Sequence, residues 1–171
     1  MNTDTRTRSV TQETTVKAPI ERTFRFFTEE MERWWNPDHH ILEAPIARMV
    51  LEPRVGGAIY DVGTDGSECR WARVLAYDPP HRFTFSWDIG LDWKVEPDPA
   101  RASEVEVLFS EAGSDLTRVE LTHRHLDRHG DGWEQMREAI SSPGGWPAGL
   151  GRFTAWAEEQ LVMPPRADDR T

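Results

Sequence analysis

Two histidines, His123 and His125, stand two residues apart in the segment TRVELTHRHL. Side chains at this spacing in a strand point to the same face, and paired imidazoles of this kind occur in metal sites. The run Asp38-His39-His40 offers a third ligand, but no cysteine cluster, H-E-x-x-H motif or Asp-rich loop supports a metal. We therefore predict neither a metal nor a cofactor. In the alternative interpretation, His123 is a hydrogen-bonded polar group at the end of a pocket, and the other histidines lie at the surface.

The remaining reactive side chains stand alone in the sequence. Ser141-Ser142 and Cys69 have no base nearby, so the sequence gives little support for a nucleophilic mechanism. Glu13, Asp61 and Glu68 are single acids in predicted strands, where solvated carboxylates are more common than general bases. No sequence motif therefore identifies catalytic residues.

Three segments alternate apolar and polar residues: RFTFSWDI, SEVEVLF and TRVELTHRHL. A period of two predicts strands with one covered face and one solvated face, and neighbouring strands of this kind form an antiparallel sheet. The predicted inward-facing residues are Phe83, Phe85, Trp87, Val105, Val107, Phe109, Val119, Leu121, His123 and His125. His123 and His125 end this apolar face with two imidazoles. We expect His123 to be mostly buried, hydrogen-bonded and neutral at pH 7, and His125, nearer the end of the strand, to be more exposed.

Helical spacing is found near both ends of the chain. Pro19 precedes a stripe of apolar residues that continues to Trp34 and stops at Asn36-Pro37. A second helix is predicted to start at Trp146, after the breaker Ser142-Pro143-Gly144-Gly145, with WEQMREAI as a short helix before it. Strands are also predicted at 9–17, 46–52, 58–62, 68–77 and 82–89, and 97–102 is predicted to be a loop between two further strands. The register of 68–77 stays open, because both of its faces carry apolar residues.

Composition limits the class of protein. The chain of 171 residues has a net charge of −10 and no basic stripe, so we predict no nucleic-acid partner. A single cysteine excludes an internal disulfide and fits a reducing compartment. No segment reaches membrane-spanning length, so we expect no membrane insertion and a cytoplasmic location. The predicted organisation is one domain over 9–163, with flexible tails at 1–8 and 164–171.

Five segments in order carry a family resemblance: VKAPIERTFRFFTEEMERWW, EPRVGGAIYDV, RVLAYDPPHRFTFSW, TRVELTHRHL and GGWPAGLGRFTAWAEE. The chain resembles the START-like (SRPBCC) superfamily, in the branch homologous to the C-terminal domain of heat-shock-protein-90 ATPase activators. This resemblance implies an α+β helix-grip fold. Its curved antiparallel sheet of about six or seven strands wraps a long C-terminal helix, and two short helices follow the first strand. The resemblance also implies a cavity between sheet and helix.

The chain contains eight tryptophans, and each one that is buried contributes about 4–6 kcal/mol of gross hydrophobic stabilisation. Flat rings are also good walls for a ligand site. The predicted pocket residues are Phe27, Trp34, Trp35, Tyr60, Phe85, Trp87, Val107, Phe109, Leu121, His123, Trp133, Met136, Trp146, Leu150 and Phe153.

Three functions remain open from the sequence. The first, which we favour, is a soluble binding protein for a small, apolar or aromatic molecule held between sheet and C-terminal helix. The second is a co-chaperone that activates a heat-shock chaperone ATPase. The activators carry a separate N-terminal domain for which this chain has no room, so this function is less favoured. The third is a pocket enzyme, because START-like relatives include cyclases and hydrolases.

Overall fold

The structure is a computed structural model that describes residues 8–162. Within this range the strands are β1 (Val10–Val16), β2 (Ile46–Leu51), β3 (Ala58–Gly63), β4 (Glu68–Asp78), β5 (Arg82–Trp87), β6 (Ser103–Gly113) and β7 (Leu116–Arg124). The helices are α1 (Ile20–Thr28), α2 (Met31–Trp34), α3 (Trp133–Ser141) and α4 (Trp146–Val162), with short 3-10 turns at Pro99–Arg101 and Leu126–His129. The predicted tails lie outside the described residues except for residue 8. The predicted domain limits stay a prediction.

The seven strands form one antiparallel sheet in the order β1-β7-β6-β5-β4-β3-β2. Strands β2 to β7 pair with their neighbours in sequence, and β1 pairs with β7, so that β1 and β2 occupy opposite edges. The sheet curls into a half-barrel around the C-terminal helix. The predicted α+β helix-grip fold is therefore confirmed, with seven strands and two short helices after the first strand.

The C-terminal helix α4 packs on the concave face of the sheet. Its Phe153 is fully buried and meets the ring of Phe27 from α1 at 5.0 Å between centroids. Phe27 in turn contacts Phe109 of β6 at 5.6 Å. The hydroxyls of Thr14 and Thr154 lie 2.7 Å apart and join β1 to α4. Edge-to-face aromatic packing thus connects both helices to the sheet.

The opposite, convex face is less solvated than alternation predicts. Thr84, Ser86 and Asp88 were expected to face solvent, but all three are buried. Arg73 of β4 covers this side: its guanidinium donates to both oxygens of Asp88 at 3.0 Å, and its backbone N–H donates to Ser86 Oγ at 2.8 Å. A long charged side chain can cover a neighbouring strand in this way, so the expectation was wrong at this strand.

Two irregularities explain why the register of β4 was ambiguous. Pairing with β3 shifts between Ile59 and Tyr60, and pairing with β5 shifts between Val74 and Ala76. Each shift places an extra residue on one strand, so the alternation of inward and outward side chains is interrupted. As a result Trp71 and Ala72, which are adjacent in sequence, are both buried.

Candidate functional site

A cavity of about 480 Å³ lies between strands β3 to β5 and the start of α4. The loop that follows β5, the end of α2 with the segment after it, and the end of α3 with the turn to α4 complete its walls. The lining residues are Trp34, Trp35, Asn36, Asp38, His39, His40, Ile41, Asp61, Trp71, Trp87, Ile89, Trp93, Ala139, Ile140, Ser142, Gly144, Gly145, Trp146, Ala148, Gly149 and Arg152. Six of the chain's eight tryptophans are among them.

Four of these tryptophans form a closed circuit of ring contacts, which we call the tryptophan quartet: Trp35, Trp71, Trp87 and Trp146. Ring centroids are 5.2 Å apart for Trp35 and Trp71, and 6.0 Å apart for Trp71 and Trp87. The circuit closes from Trp87 to Trp146 at 5.8 Å and from Trp146 to Trp35 at 5.9 Å. Each ring is supported by two others, so the quartet presents a preformed, flat-walled surface to the cavity.

Separate elements bring the quartet together. Trp87 ends β5, Trp71 occupies the irregular part of β4, and Trp146 begins α4. Trp35 follows α2 in an extended conformation, and its indole N–H donates to the carbonyl of His39 at 3.2 Å. The site therefore depends on the whole fold, and no single segment of the sequence contains it.

Asp61 is the buried acid of the cavity, with 2% of its surface exposed. Burial raises the pKa of its carboxyl to about 6, against the opposing effects of hydrogen bonding from Trp71 and the charge of His40. Its Oδ1 atom is buried without a hydrogen-bond partner among the described residues. A carboxyl group with a pKa close to neutrality can both accept and donate a proton under ordinary conditions. The expectation that Asp61 is solvated was wrong.

Polar side chains form the rim of the cavity. His40 Nδ1 donates to the carbonyl of Leu42 at 2.6 Å, since a carbonyl can only accept, and this fixes the proton on Nδ1. The amide of Asn36 holds the loop through its Oδ1, which accepts from the N–H of Asp38 at 3.0 Å. On the opposite side Arg152 Nε donates to the carbonyl of Trp34 at 3.3 Å. The rim is thus polar and positively charged on one side, while the floor is aromatic.

Behind the quartet a buried chain of hydrogen bonds, the His123 relay, runs from Trp146 through His123 and Ser103 to His129. Trp146 Nε1 donates to His123 Nδ1 at 3.1 Å. Because Nδ1 accepts, the proton of the neutral ring is on Nε2, which donates to Ser103 Oγ at 2.7 Å. The Ser103 hydroxyl then donates to His129 Nε2, also at 2.7 Å.

Burial keeps both imidazoles of the relay neutral at pH 7. Burial, and then the charge of His129, lower the pKa of His123 to about 3. The pKa of His129 is also lowered, mainly by burial. His123 is fully buried, as expected, whereas His129 was expected at the surface and is only 4% exposed. His125 is exposed and has a left-handed backbone, so the two histidines of the motif do not form a pair.

The structure separates the predicted pocket residues into two groups. Trp34, Trp35, Trp87 and Trp146 line the cavity. The buried core instead contains Phe27, Phe85, Val107, Phe109, Leu121, His123, Met136, Leu150 and Phe153, while Tyr60 and Trp133 are partly buried. None of these eleven is among the cavity-lining residues, and their role in ligand binding stays a prediction. In residues 8–162 no group of three or more His, Cys, Asp or Glu side chains is placed to hold a metal ion.

Sequence reasoning did not identify Asp61, Trp71 and Trp93 as cavity residues. A signal for Asp61 was present, because Ile59 and Asp61 stand two apart and share the buried face of β3. Trp71 was hidden by the irregular pairing of β4. Trp93 lies in a loop, where no periodicity indicates direction.

A curved sheet that grips a C-terminal helix beside an aromatic cavity defines a START-like (SRPBCC) pocket protein. Residues 17–158 match the family described as Activator of Hsp90 ATPase homolog 1-like protein. The chain therefore belongs to that family. No match was found among curated proteins. Among the described residues no helix is both long and apolar enough to cross a membrane.

Solved structures similar to this chain include an anthrahydroquino-gamma-pyrone synthase, Txn09, complexed with SUM. It is 41% identical over 86% of this chain and 95% of its own, with a TM-score of 0.61. A self-sacrificing resistance protein, CalC, from Micromonospora echinospora is 25% identical over 91% of this chain and 97% of its own, with a TM-score of 0.63. A protein from Nitrosomonas europaea shares the fold at 14% identity, 91% and 97% coverage and a TM-score of 0.65.

Proposed function

We propose that the protein binds a flat, fused-ring aromatic molecule in the cavity and promotes ring closure on it by proton transfer at Asp61. The observation that carries this proposal is the combination of six tryptophans with one buried carboxyl group in the same cavity. Aromatic walls favour a planar ligand, and a buried acid with a raised pKa favours chemistry that moves a proton.

The size of the cavity supports the first part of the proposal. Ligand sites of drug-sized molecules have volumes of about 300–1,000 Å³, and this cavity measures about 480 Å³. An aromatic ligand of about 20 heavy atoms at roughly 0.3 kcal/mol per atom gives about 6 kcal/mol, which corresponds to an affinity in the tens of micromolar. This is the range expected of an enzyme substrate or a weakly held ligand.

The second part follows from the chemistry of ring closure. When a phenolic oxygen attacks a side-chain carbonyl carbon, a C–O bond forms and the phenolic O–H bond breaks. Asp61 takes that proton and returns it to the former carbonyl oxygen, which becomes the hydroxyl of a hemiketal. Asp61 then removes a proton from the adjacent CH₂ of a 1,3-diketone side chain and transfers it to this hydroxyl, so that the C–O bond to the hydroxyl breaks, water leaves and a C=C bond forms in the new ring. No oxidant or reductant is needed, and the carboxyl group ends in its starting state. A pKa of about 6 suits both transfers.

The comparisons support the same substrate class. The synthase that is 41% identical to this chain acts, by its description, in forming an anthrahydroquino-gamma-pyrone, a fused aromatic product. Binding without catalysis, the function favoured by the sequence, uses the same cavity but gives Asp61 no role. The co-chaperone function is supported by the family description alone. We also propose a cytoplasmic location, which the single cysteine supports because it fits a reducing compartment.

The test compares wild type with Asp61→Asn, using Glu68→Gln as the matched control because Glu68 is an exposed acid on the neighbouring strand. The substrate is a hydroxyanthraquinone with a 1,3-diketone side chain beside the hydroxyl, and the product is detected by mass spectrometry as the loss of one water. We expect Asp61→Asn to bind this substrate and to convert it at least about 100-fold more slowly, while Glu68→Gln stays active.

Three other outcomes would decide against parts of the proposal. Full turnover by Asp61→Asn would remove Asp61 from the reaction. Binding without turnover by wild type would support a binding protein. Absence of binding, together with stimulation of a chaperone ATPase that is insensitive to Asp61→Asn, would support the co-chaperone function.

A further inference from the structure

Trp93 differs from the other tryptophans of the cavity in two ways. It is 52% exposed, although it lines the cavity. Its backbone φ is +61°, in the left-handed region that glycine and asparagine favour. Within residues 8–162 its ring takes part in no aromatic contact, whereas the quartet members contact one another.

A hydrogen-bonded hairpin holds Trp93 in this conformation. The N–H of Trp93 donates to the carbonyl of Gly90 at 2.9 Å, and the N–H of Gly90 donates to the carbonyl of Lys94 at 2.8 Å. The base of the hairpin is closed by a bridge between Ile89 and Val95. The indole is thus presented from a defined turn beside the cavity.

Neither stability nor turn geometry accounts for a tryptophan at this position. An exposed indole gains little from burial, and a left-handed φ costs free energy for a residue with a large side chain. Asparagine or glycine would satisfy the turn at lower cost. Strain that is kept at the edge of a cavity is a recurrent property of binding sites.

We propose that Trp93 is a ligand-contact residue that stacks on the part of a flat aromatic ligand nearest the cavity mouth. This inference rests on the proposed function, since it assigns an affinity-determining residue to the same site. The ligand class that fits is a planar system of three or more fused rings, long enough to lie on the quartet and to reach the hairpin. The free face of the indole is then covered only when such a ligand is bound.

The experiment measures binding of 1,8-dihydroxyanthraquinone by absorbance titration, together with thermal unfolding, for wild type, Trp93→Asn and Trp93→Phe. The control is Val95→Ala, which removes an exposed apolar side chain from the same hairpin outside the cavity lining. We expect Trp93→Asn to bind about tenfold more weakly, with an unfolding temperature equal to or above that of wild type. Trp93→Phe should recover part of the affinity, and Val95→Ala should bind as wild type does.

Two results would overturn the inference while leaving the proposed function intact. One is unchanged affinity in Trp93→Asn when wild type binds the probe. The other is a loss of affinity in Trp93→Asn that is accompanied by a lower unfolding temperature, which would indicate a structural role. Absence of binding by wild type would instead contradict the proposed function, and this inference with it.

Discussion

The indole N–H of Trp146 donates to Nδ1 of His123 at 3.1 Å, so the first residue of α4 is fixed to the last inward-facing residue of β7. His123 does not line the cavity itself. It acts on the site by holding Trp146, one member of the quartet, in place.

This arrangement makes the protein sensitive to acid. The native pKa of His123 is about 3, below its ordinary value of 6.5, so the unfolded chain binds more protons than the folded chain between these values. The contribution of His123 to the free energy of unfolding is therefore fully present above pH 6.5 and is lost as the pH falls towards 3. The difference between the two pKa values corresponds to a loss of about 5 kcal/mol in the free energy of unfolding. Urea denaturation at a series of pH values should show this loss.

Replacement of His123 tests the relay directly. His123→Phe leaves the Trp146 N–H buried without a partner, and we expect it to lower the free energy of unfolding at pH 7 by about 2–4 kcal/mol. Replacement of the exposed His81 by Gln should have little effect. Because His123 lies behind the tryptophan quartet, His123→Phe should weaken the binding of polar and apolar ligands equally. A selective loss of polar ligands would show that His123 reaches the ligand.

Asp61 should have the opposite dependence on pH. Its native pKa of about 6 exceeds the ordinary value of 3.8, so the folded chain binds more protons and stability falls as the pH rises through this interval. At neutral pH the buried, ionised carboxylate of Asp61 lowers the free energy of unfolding by about 3 kcal/mol. Asp61→Asn removes it, and we expect this variant to be about 1–3 kcal/mol more stable than wild type at pH 7. At pH 3.5, below both pKa values, the two proteins should differ little.

Tryptophan emission should report ligand binding from within the cavity. Trp133 and Trp156 are the two tryptophans outside the cavity lining. The double variant Trp133→Phe, Trp156→Phe should therefore lose background emission and keep the affinity for 1,8-dihydroxyanthraquinone, with a larger fraction of its emission quenched. An unchanged quenched fraction would indicate that the probe binds elsewhere.

Two adjacent glycines provide a matched pair at the start of α4. A Cβ on Gly145 would overlap the carbonyl oxygen of Ile140 and lie 2.8 Å from that of Ala139, whereas a Cβ on Gly144 would meet nothing within 4 Å. Gly145→Ala should therefore lower stability by about 1–3 kcal/mol and displace Trp146. Gly144→Ala should be close to neutral. Chemical denaturation of the two variants, with the ligand titration above, checks both expectations.

The sequence predicted the fold well because its strands and helices carry regular patterns. In β6 and β7 strict alternation gave the buried residues, including His123, and the stripe of α1 placed Phe27 against the sheet. The cavity was predicted less completely, because several of its residues lie where the alternation of a strand is interrupted or where there is no periodic pattern. Trp71 lies at a break in strand pairing, Trp93 lies in a turn, and the burial of Asp61 depends on neighbours from other elements.

The position of β1 and β2 at opposite edges has an evolutionary consequence. With about 4.8 Å between strands, the connection from residue 17 to residue 45 must cross a sheet roughly 29 Å wide. This connection contributes Trp34, Trp35 and part of the polar rim to the cavity, and it lies outside the seven paired strands. Residues 36 and 38–41 of this connection line the cavity and lie outside the helices, so replacements there can change ligand preference between relatives while the sheet keeps its pairing. We expect sequence divergence within this family to concentrate in residues 36–45 and not in α1, which carries the buried Phe27.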